Sequence, residues 1–166
     1  MLRDKNLIPL SHQHQHALAL CVRIERASPI PQSDLAAWQA EIHQLVRNEI
    51  AIHFAAEEQV LFPAAKSLPE LIPLVEELIE DHASLRVSFA RAGEQNLSAE
   101  QLSSFATRLS THIRKEERQF FERLQQLMAT EELAALGQKL EEALQDASHA
   151  CSVPTDATRL RAKGRG

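Results

Sequence analysis

Two segments of this chain carry the same pattern of ionisable residues: His53-Phe54-Ala55-Ala56-Glu57-Glu58 and, 59 residues later, His112-Ile113-Arg114-Lys115-Glu116-Glu117. Positions four apart lie on one face of an α-helix, so each copy aims an imidazole and a carboxylate at the same point. Both copies run on into large apolar residues, Val60-Leu61-Phe62 in the first and Phe120-Phe121 in the second. The pattern demands two helices whose inward faces carry polar groups, and it reads as a dinuclear metal site written in two halves.

The remainder of the chain supports helices throughout. With 4 Gly and 7 Pro in 166 residues and 44% hydrophobic content, few positions interrupt a helix and the chain is long enough for one real core. The first helix is expected from near Ser11 to the prolines of Ser28-Pro29-Ile30-Pro31. A second starts after Ser33, read as its N-cap, and runs to about Lys66 with Pro63 kinking or ending it. Ser67-Leu68-Pro69-Glu70 reads as a capping box opening a third helix that stops by Gly93, and Ser98-Ala99-Glu100-Gln101 as another opening a fourth that runs to about Ala129. A shorter fifth helix is expected from Thr130 to about Ser148, weakened by Gly137. The expected organisation is one domain over residues 1–150 and a disordered basic tail over 151–166.

Each of the first four helices has an apolar stripe interrupted by histidine: His14 among Leu10, Leu18 and Cys21; His53 and Glu57 beyond Leu45 and Glu49; His82 among Val75, Leu78, Leu85 and Phe89; His112 and Glu116 between Leu109 and Phe120. Burying such groups unpaired costs several kcal/mol for each charge and about 1–3 kcal/mol for each neutral polar group. Four imidazoles, two of them paired with Glu at the fourth position, favour metal ligation over isolated hydrogen-bonded core histidines. Helix rise puts His53, His82 and His112 at one height in an antiparallel bundle, whereas His14 falls roughly 7 Å out of level. His14 shares the apolar stripe; His12 and His16 share a different face and are assigned as bystanders, with His12 the alternative ligand on the first helix.

Six donors, His14, His53, Glu57, His82, His112 and Glu116, exceed the four that close a structural zinc site. Mixed imidazole and carboxylate donors suit iron, and also admit manganese, zinc or cobalt. If each carboxylate bridges two ions and each ion takes two imidazoles, a shared oxo or hydroxo group brings each ion to five donors. Open positions then remain for a small ligand.

The order His14, His53-x-x-x-Glu57, His82 within Glu80-Asp81-His82-Ala83-Ser84-Leu85, and His112-x-x-x-Glu116 resembles the hemerythrin-like, or HHE cation-binding, family over about residues 8–129. The resemblance implies an all-α, up-down-up-down four-helix bundle around a non-haem di-iron centre. It makes His14, His53, His82 and His112 terminal iron ligands and Glu57 and Glu116 bridging carboxylates, with Glu58 and Glu117 outside the ligand set. Oxygen-carrying members have a further His where this chain has Arg86, and an Asp at a spacing of five where it has Glu116 at four. The present pattern is closer to the di-iron domains of iron-sulfur-centre repair proteins and of an iron-sensing F-box protein. Arg86 in place of an imidazole leaves the centre expected to be more open than in a carrier.

A formal charge of −5 and a pI near 5.9 argue against general nucleic-acid or anionic-membrane binding. No apolar run approaches a membrane span and the N-terminus lacks a signal-peptide core, so a cytoplasmic protein is the expectation. Cys21 and Cys151 form no metal-finger spacing, and Cys21 reads as a small core residue. The absence of Tyr, of a redox cysteine pair and of a Gly-x-Gly-x-x-Gly motif gives no visible route for reducing equivalents. The favoured reading is therefore a di-iron protein that binds, senses or handles dioxygen, nitric oxide or iron. The alternative is a di-iron enzyme or repair factor that reduces nitric oxide or peroxide, or delivers iron, with an electron-donating partner.

Overall fold

A computed structural model describes residues 2–148, and within them the chain is all-helical. After one 3₁₀ turn, α1 spans Ile8–Ala27. It starts earlier than Ser11 because Pro9 occupies the first turn, where no amide hydrogen is needed. Helix α2 covers 35–65, α3 spans Ile72–Gly93, α4 covers 99–127 and α5 spans Thr130–Ser148. The first four form the bundle, with α1 packed along α4 and α2 along α3, while α5 lies against α2 and the N-terminal turn. Among the described residues no helix is long and apolar enough to cross a membrane. The expected basic tail, and Cys151 beside it, lie outside the described residues.

Three of the expected helix signals meet different fates. Ser98 accepts from the Gln101 amide and the Gln101 side chain accepts from the Ser98 amide, completing a capping box. Ser33 does not cap α2; its hydroxyl donates to Asp34, and a 3₁₀ turn over Gln32–Asp34 leads into the helix at Leu35. Ser67 caps nothing either, because its hydroxyl is spent on the carbonyl of Ala64 at the end of α2, 2.7 Å away. In both places the hydroxyl is oriented toward a nearby oxygen and away from the helix amides. Gly137 interrupts nothing: a Cβ there would lie 2.6 Å from Cβ of Asn6, so the glycine lets α5 close on the N-terminal turn.

Two of the long helices carry π-helical turns that periodicity does not reveal. They occupy Val46–Ile50 and Glu57–Leu61 in α2, and Glu116–Phe120 in α4. Each π turn absorbs one extra residue. The turn at Val46–Ile50 lies between the α1–α2 connection and His53, and so takes up part of the height mismatch with His14. Pro63 falls in the α-helical stretch just after the second π turn, and α2 continues through it to Ala65.

The apolar core is split in two. One cluster, around Leu20, Ile24, Trp38, Ile42, Phe89, Leu102 and Phe105, fills one end of the bundle. The other, around Leu10, Leu61, Phe62, Leu78, Phe120 and Phe121, fills the opposite end, where α5 adds Leu133, Leu136, Leu140 and Leu144. Between them lie the buried His14, His53, Glu57, His82, His112 and Glu116. Cys21 is fully buried in the first cluster and burial pushes its thiol up to about 12, so it is an inert core residue.

Candidate metal centre

All six residues singled out in the sequence meet in this middle layer. Each carboxylate divides its two oxygens between two imidazole pairs. Glu57 places Oε1 3.1 Å from His53 Nε2 and Oε2 3.3 Å from His82 Nε2. Glu116 places Oε2 3.1 Å from His14 Nε2 and Oε1 3.3 Å from His112 Nε2. One donor group thus consists of His14, His53, Glu57 and Glu116, and the other of His82, His112 and Glu116, each with its atoms mutually within 4.8 Å. Glu57 approaches the second group through His82 alone.

The donors fit a cation better than they fit one another. All four carboxylate oxygens of Glu57 and Glu116, with Nε2 of His82 and of His112, are buried without a hydrogen bond. Leaving so many buried acceptors unpaired is strongly unfavourable, and a positive ion among them removes the penalty. At ligand bonds of about 2.0–2.2 Å, donors about 3 Å apart subtend about 90°, the edge of an octahedron rather than of a tetrahedron. Mixed imidazole and carboxylate donors of this kind suit a divalent transition-metal cation.

The local fold supplies this arrangement twice. In each copy of the repeat, His and Glu share a face and the π turn begins at that Glu, so residues four and five further on both turn inward. Leu61 and Phe62 are buried in one copy, Phe120 and Phe121 in the other. The second acid and the following Phe then serve a histidine on a neighbouring helix. Glu58 Oε1 lies 2.8 Å from His82 Nδ1, and Phe62 packs on the same ring at 5.5 Å between centroids. Glu117 Oε1 lies 2.7 Å from His14 Nδ1, and Phe121 stacks on that ring at 5.6 Å. The remaining two histidines take acceptors from the residue just before the lone His of α1 or α3: His53 Nδ1 faces Gln13 Oε1 at 2.8 Å, and His112 Nδ1 faces Asp81 Oδ2 at 3.4 Å. With every Nδ1 facing an outward acceptor, every Nε2 faces the centre, where its lone pair can bind a metal once any proton there has left.

Cations hold the outer acids in turn. Arg3 donates to Glu117 at 2.7 Å, Arg86 to Glu58 at 2.7 Å, and Lys115 to Asp81 at 2.9 Å. Periodicity does not single out Gln13 and Asp81 as acceptors, although each directly precedes a histidine of the centre. Arg86 makes a second contact besides Glu58. Its guanidinium lies over Phe54 at 5.5 Å, and Phe54 stacks on His82 with ring centroids 3.6 Å apart.

The protonation pattern follows from the geometry. Burial disfavours the His14 imidazolium, yet the adjacent carboxylates of Glu116 and Glu117, with the charge of Glu57, outweigh it and push its pKa up to about 10. Burial alone would raise Glu57, but the close approach of His53 and His82 holds it well below the usual carboxylate range. Burial likewise opposes ionisation of Glu117, while bonds from His14 and Ser11 bring it down to about 2. Asp81 is held at about 2, chiefly by its bond from His112. A proton on His14 Nε2, 3.0 Å from His53 Nε2, occupies the place of a metal ion, and metal uptake must release it.

Among the described residues two cavities touch donors, and the smaller touches both halves of the centre. It is lined by His14, His53, His112 and Glu116, by apolar Ala17, Ile50, Phe54, Leu109 and Ile113, and by Gln13 and Glu49. It leaves about 10 Å³ for the centre of a water-sized molecule, room for about one such molecule. The bystander His16 is 63% exposed and bonds Glu49 Oε2 at 2.8 Å at the edge of this cavity. His12 is exposed and makes no contact with the centre.

Comparison with known proteins agrees with this arrangement. Residues 9–124 match the family described as the hemerythrin HHE cation binding domain. No match emerges among curated proteins or among solved structures. The matched span begins in the first turns of α1, ends in the last turns of α4 and includes all six converging side chains, and on that ground the chain belongs to the hemerythrin HHE cation binding domain family.

Proposed function

We propose that residues 1–150 form one unit that holds two iron ions and presents them to a neutral diatomic ligand, dioxygen or nitric oxide. The observation that carries this reading is the division of each buried carboxylate between two imidazole pairs. One ion would be held by His14 and His53, the other by His82 and His112, with Glu57 and Glu116 shared. Bound iron would supply open coordination positions and a change of oxidation state. The chain's own residues orient each imidazole through Glu117, Gln13, Glu58 and Asp81, exclude bulk water with two apolar clusters, and leave a small cavity that touches donors of both pairs. That cavity accommodates a diatomic molecule and no organic substrate, which favours binding or sensing over turnover of a larger compound.

Metal analysis of the purified chain, with an optical spectrum in air, tests the reading. About two iron atoms per chain are expected, and chelation should lower the melting temperature, because ligands that bind only the folded state stabilise it. One tightly held zinc with no capacity for a second ion would refute it.

A further inference from the structure

The cavity at the centre contains a charged group that the ligand set does not use. Glu49 lies one turn before His53 on α2, so Glu49, His53 and Glu57 follow one another at intervals of four along the same side. Its side chain is 18% exposed and lines the cavity together with His14, His53, His112 and Glu116. Only Oε2 is engaged by His16 from the surface side of α1. The remaining wall is apolar apart from Gln13, whose Oε1 is committed to His53. In such surroundings a fixed negative charge acts over several ångströms with little screening.

We propose that Glu49 makes this cavity charge-selective: neutral small molecules such as dioxygen and nitric oxide enter beside the first imidazole pair, and small anions are turned away. The proposal rests on the dinuclear reading above and adds a specificity-determining residue to it. The equivalent position in the other half of the centre, four residues before His112, is Arg108. It faces a second pocket between α3 and α4, which touches His112 and where its guanidinium donates to Ser84 and Ser88. That pocket carries Asp81 together with the cations Arg108 and Lys115, whereas Glu49 has no Lys or Arg among the residues lining its cavity.

Azide and nitric oxide are the two probes, titrated optically into the iron-loaded full chain, the former in the diferric and the latter in the diferrous state. Removing the charge with Glu49→Gln is expected to tighten azide about tenfold while changing nitric oxide affinity by less than about twofold. Glu49→Asp, which keeps the charge, should leave azide binding close to the unsubstituted chain. Iron content is measured on every sample. Equal azide affinity in the loaded chain and in Glu49→Gln overturns the inference alone, as does a parallel gain for azide and nitric oxide, which would mean a wider entrance rather than a removed charge. A chain that takes up no iron overturns the dinuclear reading and this inference with it.

Discussion

The half of the centre built on α1 and the half built on α3 use the same parts in the same order, yet the cavity beside His14 and His53 touches four donors whereas the pocket between α3 and α4 touches His112 alone. His14 and His82 each receive an outer Glu and a Phe from the repeat copy facing them; His53 and His112 each receive an acceptor from the residue before that lone histidine. The halves part at neighbouring positions. Three residues after His14 stands Ala17, and three after His82 stands Leu85; the acceptor is neutral Gln13 in one half and anionic Asp81 in the other. Donor spacings of 3.0–3.1 Å around His14 and His53 contrast with 3.3–3.9 Å around His82 and His112. A duplicated donor set brings two clusters of ionisable groups together, and small differences in what surrounds them decide how each is reached.

The sharpest way to break the comparison is to remove what both halves share. Glu116→Ala or Glu57→Ala should take iron content from about two to below about one per chain, read by metal analysis, because each carboxylate serves both positions. Retention of two ions in Glu116→Ala would refute the shared-carboxylate arrangement. Making the α1 half resemble the α3 half is the next test. Ala17→Leu should keep the iron but greatly slow nitric oxide binding in stopped-flow mixing, at a stability cost of about 1–3 kcal/mol from overpacking.

Exchanging the outer acceptors sharpens the contrast further. Asp81→Asn is expected to weaken iron binding by about 10–100-fold, while Gln13→Ala, which removes a neutral acceptor, should weaken it less; competition with a chelator measures both. The smallest expected effect is on pH dependence. In the metal-free chain His14 is raised from 6.5 to about 10, so its contribution to stability is complete below about pH 6.5 and disappears as the pH climbs through about 10. Melting temperature of the metal-free chain should fall over that interval, and that of the loaded chain, whose imidazoles carry no second proton, should not follow it.

Much of this was legible because the two copies could be read against each other. His-x-x-x-Glu on one helical face, the stripe through His14 and the stripe through His82 all follow from a period of 3.6 residues. The π turns were not legible from that period, since they violate it. Comparing the copies would have exposed them: large apolar residues stand at both the fourth and fifth places after Glu57 and after Glu116, a spacing no regular α-helix buries twice in succession. Roles of Glu58 and Glu117 depended on which neighbouring helix lay alongside, which is tertiary information. At the absent Ser33 and Ser67 caps each hydroxyl is turned toward a nearby oxygen and away from the helix amides. The stacking of Phe54 between Arg86 and His82 is a packing outcome that spacing alone does not encode.

The separation of the core into two apolar clusters with a polar layer between them bears on how the helices find their alignment. A helix displaced along its axis by a single turn, about 5.4 Å, would carry an imidazole or a carboxylate out of the middle layer and into Leu, Ile and Phe side chains. Apolar stripes alone tolerate such slippage, since one greasy residue replaces another. Here every misaligned pairing strands a buried polar group away from its partners, so the six donors index the four helices against one another during assembly, as a buried Asn fixes the stagger of a coiled coil.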